Sequence, residues 1–173
     1  MDYQGQIDEI VSTAKCGDLI EFSYPIGYSH WAVYDEDGHV FHFAPADEGT
    51  LMANIRYYLQ TWFPVCGDLL LGQTKIRRVP IGEVTIPDGA HVMISNTRHA
   101  FKPSAPEDIM RRRDALLDQE FSYHLLTLNC EHFATFVRYG KATCNQIPTR
   151  KKNLECEEAT TTFNKIVEGK EAD

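Results

Sequence analysis

Long apolar runs, closely spaced cysteine pairs and extended basic blocks are all missing from this chain. No stretch approaches the ~20 apolar residues that cross a bilayer as a helix. The first fifteen residues are polar and carry Asp2, Asp8 and Glu9, so no secretory leader is expected. The cysteines (Cys16, Cys66, Cys130, Cys144 and Cys156) are odd in number, scattered and without C-x-x-C spacing. That pattern speaks against a disulfide framework and against a zinc knuckle. Reduced thiols and a cytoplasmic address are the expectation. Arg111-Arg112-Arg113 is too short to follow a phosphate backbone, and the net charge is −8. Nucleic acid is therefore not expected as a partner, and anionic membrane surfaces exert no strong pull. No internal repeat is visible.

What is present suits a globular domain. At 173 residues, with 43% hydrophobic and 24% charged side chains, the chain can bury a real core. Residues 1–16 read as a polar lead-in, 17–140 as the catalytic domain, and 141–173 as a polar, loosely held tail with a short helix near Phe163 to Val167.

The chain is organised around Asn129-Cys130-Glu131-His132-Phe133-Ala134-Thr135-Phe136. Leu125, Leu126 and Leu128 supply an apolar run before it, and Asn129 suits an N-cap. Phe133, Phe136 and Val137 recur at helical spacing. Cys130 then lies in the first turn, where unpaired amides and the helix dipole favour a thiolate. A buried cysteine is more often just a small hydrophobe. Two upstream histidines lift Cys130 above that background. His132, at the third helical position, could cap, pack or touch the site.

Asp18 to Phe22 alternates as a strand, and Pro25 and Gly27 mark a turn. His30-Trp31-Ala32-Val33-Tyr34 and His39 to Pro45 flank an acidic turn ending in Gly38, which is a hairpin pattern. A three-residue loop, Glu36-Asp37-Gly38, with Gly in the left-handed position, pairs Tyr34 with Val40, Ala32 with His42 and His30 with Ala44. Trp31, Val33, Phe41 and Phe43 then share one face. His30, Ala32, Val40, His42 and Ala44 share the other, with the histidines diagonal and roughly 7–8 Å apart at the backbone. A loop one residue shorter or longer would put the histidines on opposite faces. The alanines beside them leave room for another element, and the Cys130 helix is the candidate.

Met52, Ile55, Leu59, Trp62 and Phe63 form a helical stripe. It reads as core first, with a lipid-facing lid as the alternative. Leu69 to Leu71, Lys75 to Val79 and Val92 to Ser95 suggest strands. Ser104-Ala105-Pro106-Glu107 reads as a helix start with a capping box, and Ile109, Met110, Leu116 and Leu117 as its buried face.

A cysteine nucleophile needs a base and a third group to orient that base. Cys130, His30 and His42 fit that division of labour, with the Cys130 amide as an oxyanion donor. His39, His91, His99 and His124 lack such context and read as surface or loop histidines. A metal site from Cys130, His132, His30 and His42 is disfavoured, because C-x-H spacing is awkward for one tetrahedral ion. Neither a metal nor a cofactor is expected.

Gly17-Asp18-Leu19-Ile20-Glu21, His30-Trp31-Ala32-Val33-Tyr34, Val40-Phe41-His42-Phe43-Ala44-Pro45 and Asn129-Cys130-Glu131-His132-Phe133 through Arg138-Tyr139-Gly140 resemble the lecithin:retinol acyltransferase domain family. Within it the sequence is most similar to the phospholipase A/acyltransferase (H-Ras-like suppressor) branch. The resemblance implies an α+β fold, a small antiparallel sheet packed on helices in a permuted papain-like arrangement. It also implies Cys130 as nucleophile, His30 as general base and His42 as its orienting partner. The substrate it implies is a glycerophospholipid acyl donor, whose chain passes through an acyl-cysteine to water, an amine, a lysophospholipid or another alcohol. Transient membrane contact goes with that chemistry. Two features depart from the family pattern: many members carry a C-terminal membrane anchor not seen here, and Ser29 stands where an Arg often precedes the first histidine. A papain-like amidase or peptidase on a soluble substrate, with a polar groove in place of an alkyl cleft, is the first alternative. A non-catalytic adaptor is the second, although it has no chemical need of all three residues.

Overall fold

Six strands form one sheet in the order β5-β1-β2-β3-β4-β6, every neighbouring pair antiparallel. They are β1 (Leu19–Ser23), β2 (Ser29–Tyr34), β3 (His39–Pro45), β4 (Gln73–Pro80), β5 (His91–Ile94) and β6 (Glu120–Ser122). Among the described residues four helices flank them: α1 (Tyr3–Thr13), α2 (Pro106–Leu116), α3 (Cys130–Tyr139) and α4 (Lys152–Ala172). The fold is a small α+β domain. The computed structural model describes residues 1–46, 73–122, 124, 128–147 and 151–172. The Met52-to-Phe63 stripe, Leu69 to Leu71, and Leu125 and Leu126 lie outside them.

The hairpin loop is the three-residue one. Asp35 N–H donates to the His39 carbonyl at 2.9 Å, and Tyr34 pairs with Val40 and Val33 with Phe41. Gly38 takes φ 74° and Asp37 φ 56°, so two successive residues occupy the left-handed region. The recorded β2–β3 ladder stops at Val33↔Phe41, whereas β1 pairs with β2 through Ser23↔Ser29. Among the described residues the early part of β2 thus has a strand partner, β1, on one edge and none on the other.

Both sheet faces are covered. Leu19, Trp31, Val33, Phe41, Phe43 and Ile76 pack with Phe133, Phe136, Val137 and Phe163 on one side. Ile20, Phe22, Ala32, Tyr34 and Val40 pack with Ile7, Ile10, Ile81 and Val84 on the other. The α3 helix therefore lies on the aromatic face, not on the alanine face the sequence suggested. Its own face is bulky, and burying Phe133 and Phe136 against Trp31 and Phe43 removes more apolar area than alanines offer. The supposed lead-in supplies the cover on the alanine face. It is helix α1, capped by Asp2 through a 2.8 Å bond to Gly5 N–H, with Ile7 and Ile10 buried.

Helix α2 starts at Pro106 with Ala105 as cap and no side-chain capping bond, because the Ser104 hydroxyl accepts from Arg112 at 2.9 Å instead. Its buried residues are Ile109, Arg113 and Leu116; Met110 is exposed. Arg113 forms a close ion pair with Asp35, which also accepts from Arg78 at 2.6 Å. Helix α3 ends on Gly140 at φ 77°, where an added Cβ would stand 2.8 Å from the Arg112 guanidinium. Any other residue there meets both a backbone penalty and a clash.

The segment expected to be loosely held contains the 21-residue helix α4. Phe163 is fully buried and touches Phe121, Phe133 and Phe136 ring to ring. The low apolar content of this helix hides the fact that Ala159, Phe163 and Val167 share one face at four-residue spacing. Phe163→Ala should cost about 3–5 kcal/mol in urea unfolding. A loss below about 1 kcal/mol would show that α4 does not depend on this core.

Candidate active site

Asn129 and His132 build the start of α3 between them. The Asn129 side chain accepts from His132 N–H at 3.0 Å, and His132 Nδ1 accepts from Asn129 N–H at 3.1 Å. This is a capping box with histidine in place of Glu or Gln. Because Nδ1 accepts, the neutral ring carries its proton on Nε2, which faces Cys156 Sγ at 3.9 Å. Burial pushes the His132 imidazole down to about 4, against the upward pull of Glu131 and Glu155. Of the three roles open to it, His132 takes the cap.

Cys130 follows the cap and is fully buried. Its thiol lies 3.7 Å from the Tyr28 hydroxyl and 4.0 Å from the Ser29 carbonyl. That carbonyl belongs to the peptide unit leading into His30. The thiol thus reaches the start of β2 although the helix body packs on the face opposite the histidines.

His30 and His42 meet directly. His30 Nε2 and His42 Nδ1 are 2.9 Å apart, the rings edge to face, with Phe22 against His30. The bond spans β2 and β3 where the recorded ladder has already ended, so a side-chain pair takes the place of backbone pairing. Burial pushes the His30 imidazole down to about 4. His42 is held well below the ordinary range, by burial first and then by His30 and Arg77. Both rings are neutral at neutral pH. With Nε2 engaged, His30 keeps Nδ1 for a further proton exchange. In the resting state His30 therefore places no positive charge beside the Cys130 thiol.

Several residues beside Cys130 carried no sequence signal. Glu131 is buried; its Oε2 accepts from His99 Nε2 at 2.8 Å and from Asn145 N–H at 2.9 Å. His99, read as a surface or loop histidine, lies on a loop but is buried against Trp31. Glu21, also buried, accepts from the Ser29 and Ser95 hydroxyls at 2.7 and 2.9 Å and from Arg98 at 2.9 Å. Gln146 pairs with the Ser29 backbone. Tyr28 alone had a findable signal, since two residues before His30 on an extended chain is the same side of the sheet.

A cavity of about 340 Å³ lies beside Ser29 and Glu131, the chain neighbours of His30 and Cys130, and is lined also by Glu21, Trp31, Arg98 and Gln146. Among the described residues no cluster of three or more His, Cys, Asp or Glu side chains is placed to hold a metal. None of the four described cysteines forms a disulfide, and burial pushes the Cys144 thiol up to about 12. No helix among the described residues is long and apolar enough to cross a membrane.

An α+β domain with a cysteine at a helix start and a buried histidine pair on the neighbouring hairpin narrows the class considerably. Residues 12–143 match the lecithin retinol acyltransferase family, and the chain belongs to it. Human phospholipase A and acyltransferase 4 is 32% identical over 143 residues, covering 79% of this chain and 77% of that protein. Human phospholipase A and acyltransferase 2 is 33% identical over 137 residues, covering 77% and 75%. Human phospholipase A and acyltransferase 1 is 34% identical over 131 residues, covering 75% and 70%. The segments that carried the resemblance, from Gly17 to Gly140, fall inside the matched range.

Proposed function

We propose that this chain is a thiol-dependent phospholipid acyl hydrolase and acyltransferase working through an acyl-cysteine on Cys130. The observation that carries the reading is the buried 2.9 Å His30–His42 bond on the strand whose first carbonyl touches the Cys130 thiol. In the proposed cycle His30 Nδ1 takes the thiol proton as sulfur attacks the ester carbonyl of a glycerophospholipid. The carbonyl oxygen becomes an oxyanion facing the Cys130 amide and the Tyr28 hydroxyl, both hydrogen-bond donors. The C–O bond breaks and the lysophospholipid oxygen leaves with the proton from His30. Water or an acceptor amine or hydroxyl then attacks the thioester, giving its proton to His30, and the thiolate departs and is reprotonated. His42 holds the His30 ring through Nε2. Meeting a lipid implies transient contact with a membrane surface and a cytoplasmic working place. The names of the human relatives support the lipid acyl class.

Hydrolysis of a soluble amide is a second reading, favoured by the charged side chains of Glu21, Arg98 and Glu131 that line the cavity next to Ser29. One experiment separates the two. The full chain is incubated with detergent-dispersed phosphatidylcholine and, separately, with small acyl amides, then subjected to intact and peptide mass spectrometry. The expected result is one added acyl chain on Cys130 from the lipid alone, and none on the Cys130→Ala variant. An adduct on Cys16, Cys66 or Cys156 in the Cys130→Ala variant at the wild-type rate would refute the assignment. Turnover of amides without lipid acylation would select the second reading.

A further inference from the structure

We propose that Gln146 is a positioning residue for the reaction: its side-chain amide clamps the Ser29 backbone and so fixes the start of β2 against the first turn of α3. The inference rests on the assignment of Cys130 and His30 given above. Gln146 Oε1 accepts from Ser29 N–H at 2.8 Å, and Gln146 Nε2 donates to the Ser29 carbonyl at 2.8 Å. In a strand the N–H and C=O of one residue point to the same edge. Ser29 therefore turns both groups away from β1 and toward the edge where the recorded β3 ladder is lacking. The Gln146 amide takes the place of a missing strand, with the same donor and acceptor pattern as a peptide group.

The clamp also has its own anchor. Asn145 donates through its backbone N–H to Glu131 Oε2 at 2.9 Å and through Nδ2 to the Arg98 carbonyl at 3.2 Å. Thr143 N–H donates to the Thr135 hydroxyl at 2.9 Å, and Asn129 Nδ2 donates to Cys144 Sγ at 3.4 Å. Residues 143–146 thus run back along α3 to its first turn, where Glu131 follows Cys130. Two consecutive residues, Asn145 and Gln146, bind the element that carries the thiol and the element that carries the base. The Ser29 carbonyl, already held by Gln146, is the group 4.0 Å from Cys130 Sγ. A displacement of ~1 Å between reacting groups costs on the order of a hundredfold in rate, which makes such a link matter to the chemistry.

The test uses the full chain, with single-turnover acylation of Cys130 by detergent-dispersed phosphatidylcholine and steady-state turnover of the same lipid. Gln146→Met keeps length and volume and removes both bonds. It should lower kcat by tenfold or more with KM within twofold, at an unchanged folded fraction by circular dichroism. Gln146→Glu supplies the finer readout. A neutral carboxyl can accept from Ser29 N–H and donate to the Ser29 carbonyl, as the amide does; the ionised form can only accept. The carboxyl would titrate among Glu21, Glu131, Arg98 and His99, which border the same cavity. The ratio of its kcat to that of the wild type should rise as pH falls from 8 to 5.5, while the Gln146→Met ratio stays flat. A Gln146→Met kcat within twofold of wild type, a loss confined to KM or to the unfolded fraction, or a Gln146→Glu ratio independent of pH would each overturn the proposal. Variants that match a wild type forming the adduct sink this inference alone; a wild type forming no adduct sinks the Cys130 assignment and this inference with it.

Discussion

Replacing His30 with Ala should slow acylation of Cys130 by phosphatidylcholine by about 10²–10⁴-fold, the range for removal of a positioned general base. The argument is geometric. His30 shares a hydrogen bond with a second buried histidine and sits one peptide unit from the carbonyl nearest the thiol. Its low basicity keeps it neutral, so nearly every molecule holds the form able to accept a proton. His42→Ala should cost less, about 10²-fold, since the base remains but its Nε2 partner and tautomer are lost. His42→Gln, which can still bond to His30, should recover part of that loss. His39 serves as the control, because its ring bonds to the Asp37 carbonyl in the hairpin turn. Single-turnover acylation followed by intact mass spectrometry measures all four variants. His30→Ala within threefold of wild type, or a His39→Ala loss as large as that of His30→Ala, would remove His30 from the mechanism.

Mild acid should unfold this protein. His30 and His132 are pushed down to about 4 and His42 well below its ordinary range, in each case first by burial. An unfolded chain titrates its histidines near ~6.5. Between those values the unfolded state binds more protons, so stability is fully present above about pH 6.5 and is lost as pH falls toward 4. By pH 5 His30 and His132 should each remove on the order of 2 kcal/mol, with His42 acting in the same direction, a large share of the ~5–15 kcal/mol typical of a domain. Urea unfolding at pH 7 and pH 5 should show a fall of several kcal/mol. The His132→Gln variant, which can still close the capping box, should show a visibly smaller fall. A stability unchanged between the two pH values would mean that these rings are not held neutral in the folded state.

Much of this site was legible in the residues, and the legible parts share a cause. The hairpin could be registered because its loop chemistry is local: Gly38 in the left-handed region sets a three-residue turn, and Tyr34↔Val40 follows. Asn129 announced the start of α3 for the same reason. The direction in which α3 packs was misread, because alternation along a strand shows two faces without saying which neighbour covers each. Trp31 and Phe43 drew the helix, and Ile7 and Ile10 of an apparently polar segment covered the rest. Polar pairings between distant segments were not legible. Nothing at Gln146, His99 or Glu131 marks a partner more than thirty residues away, since a single amide or carboxylate has no periodicity. Helix α4 was underrated because just Ala159, Phe163 and Val167 of its 21 residues are fully buried, with Ile166 packed partly against them.

The way Phe163 covers α3 also orders events during synthesis. The two histidines lie on one hairpin closed by a three-residue loop, a contact that needs little chain and forms on the microsecond scale of hairpins. The thiol arrives some hundred residues later on a helix that packs on the sheet but lacks the cover of Phe163 until residues 152–172 have left the ribosome, seconds later at ordinary elongation rates. Through that interval the chain carries the histidine pair without Cys130, and then Cys130 on a helix that still lacks its contacts with α4. The histidine pair and Cys130 therefore come together late in synthesis, and the packing around them is completed last.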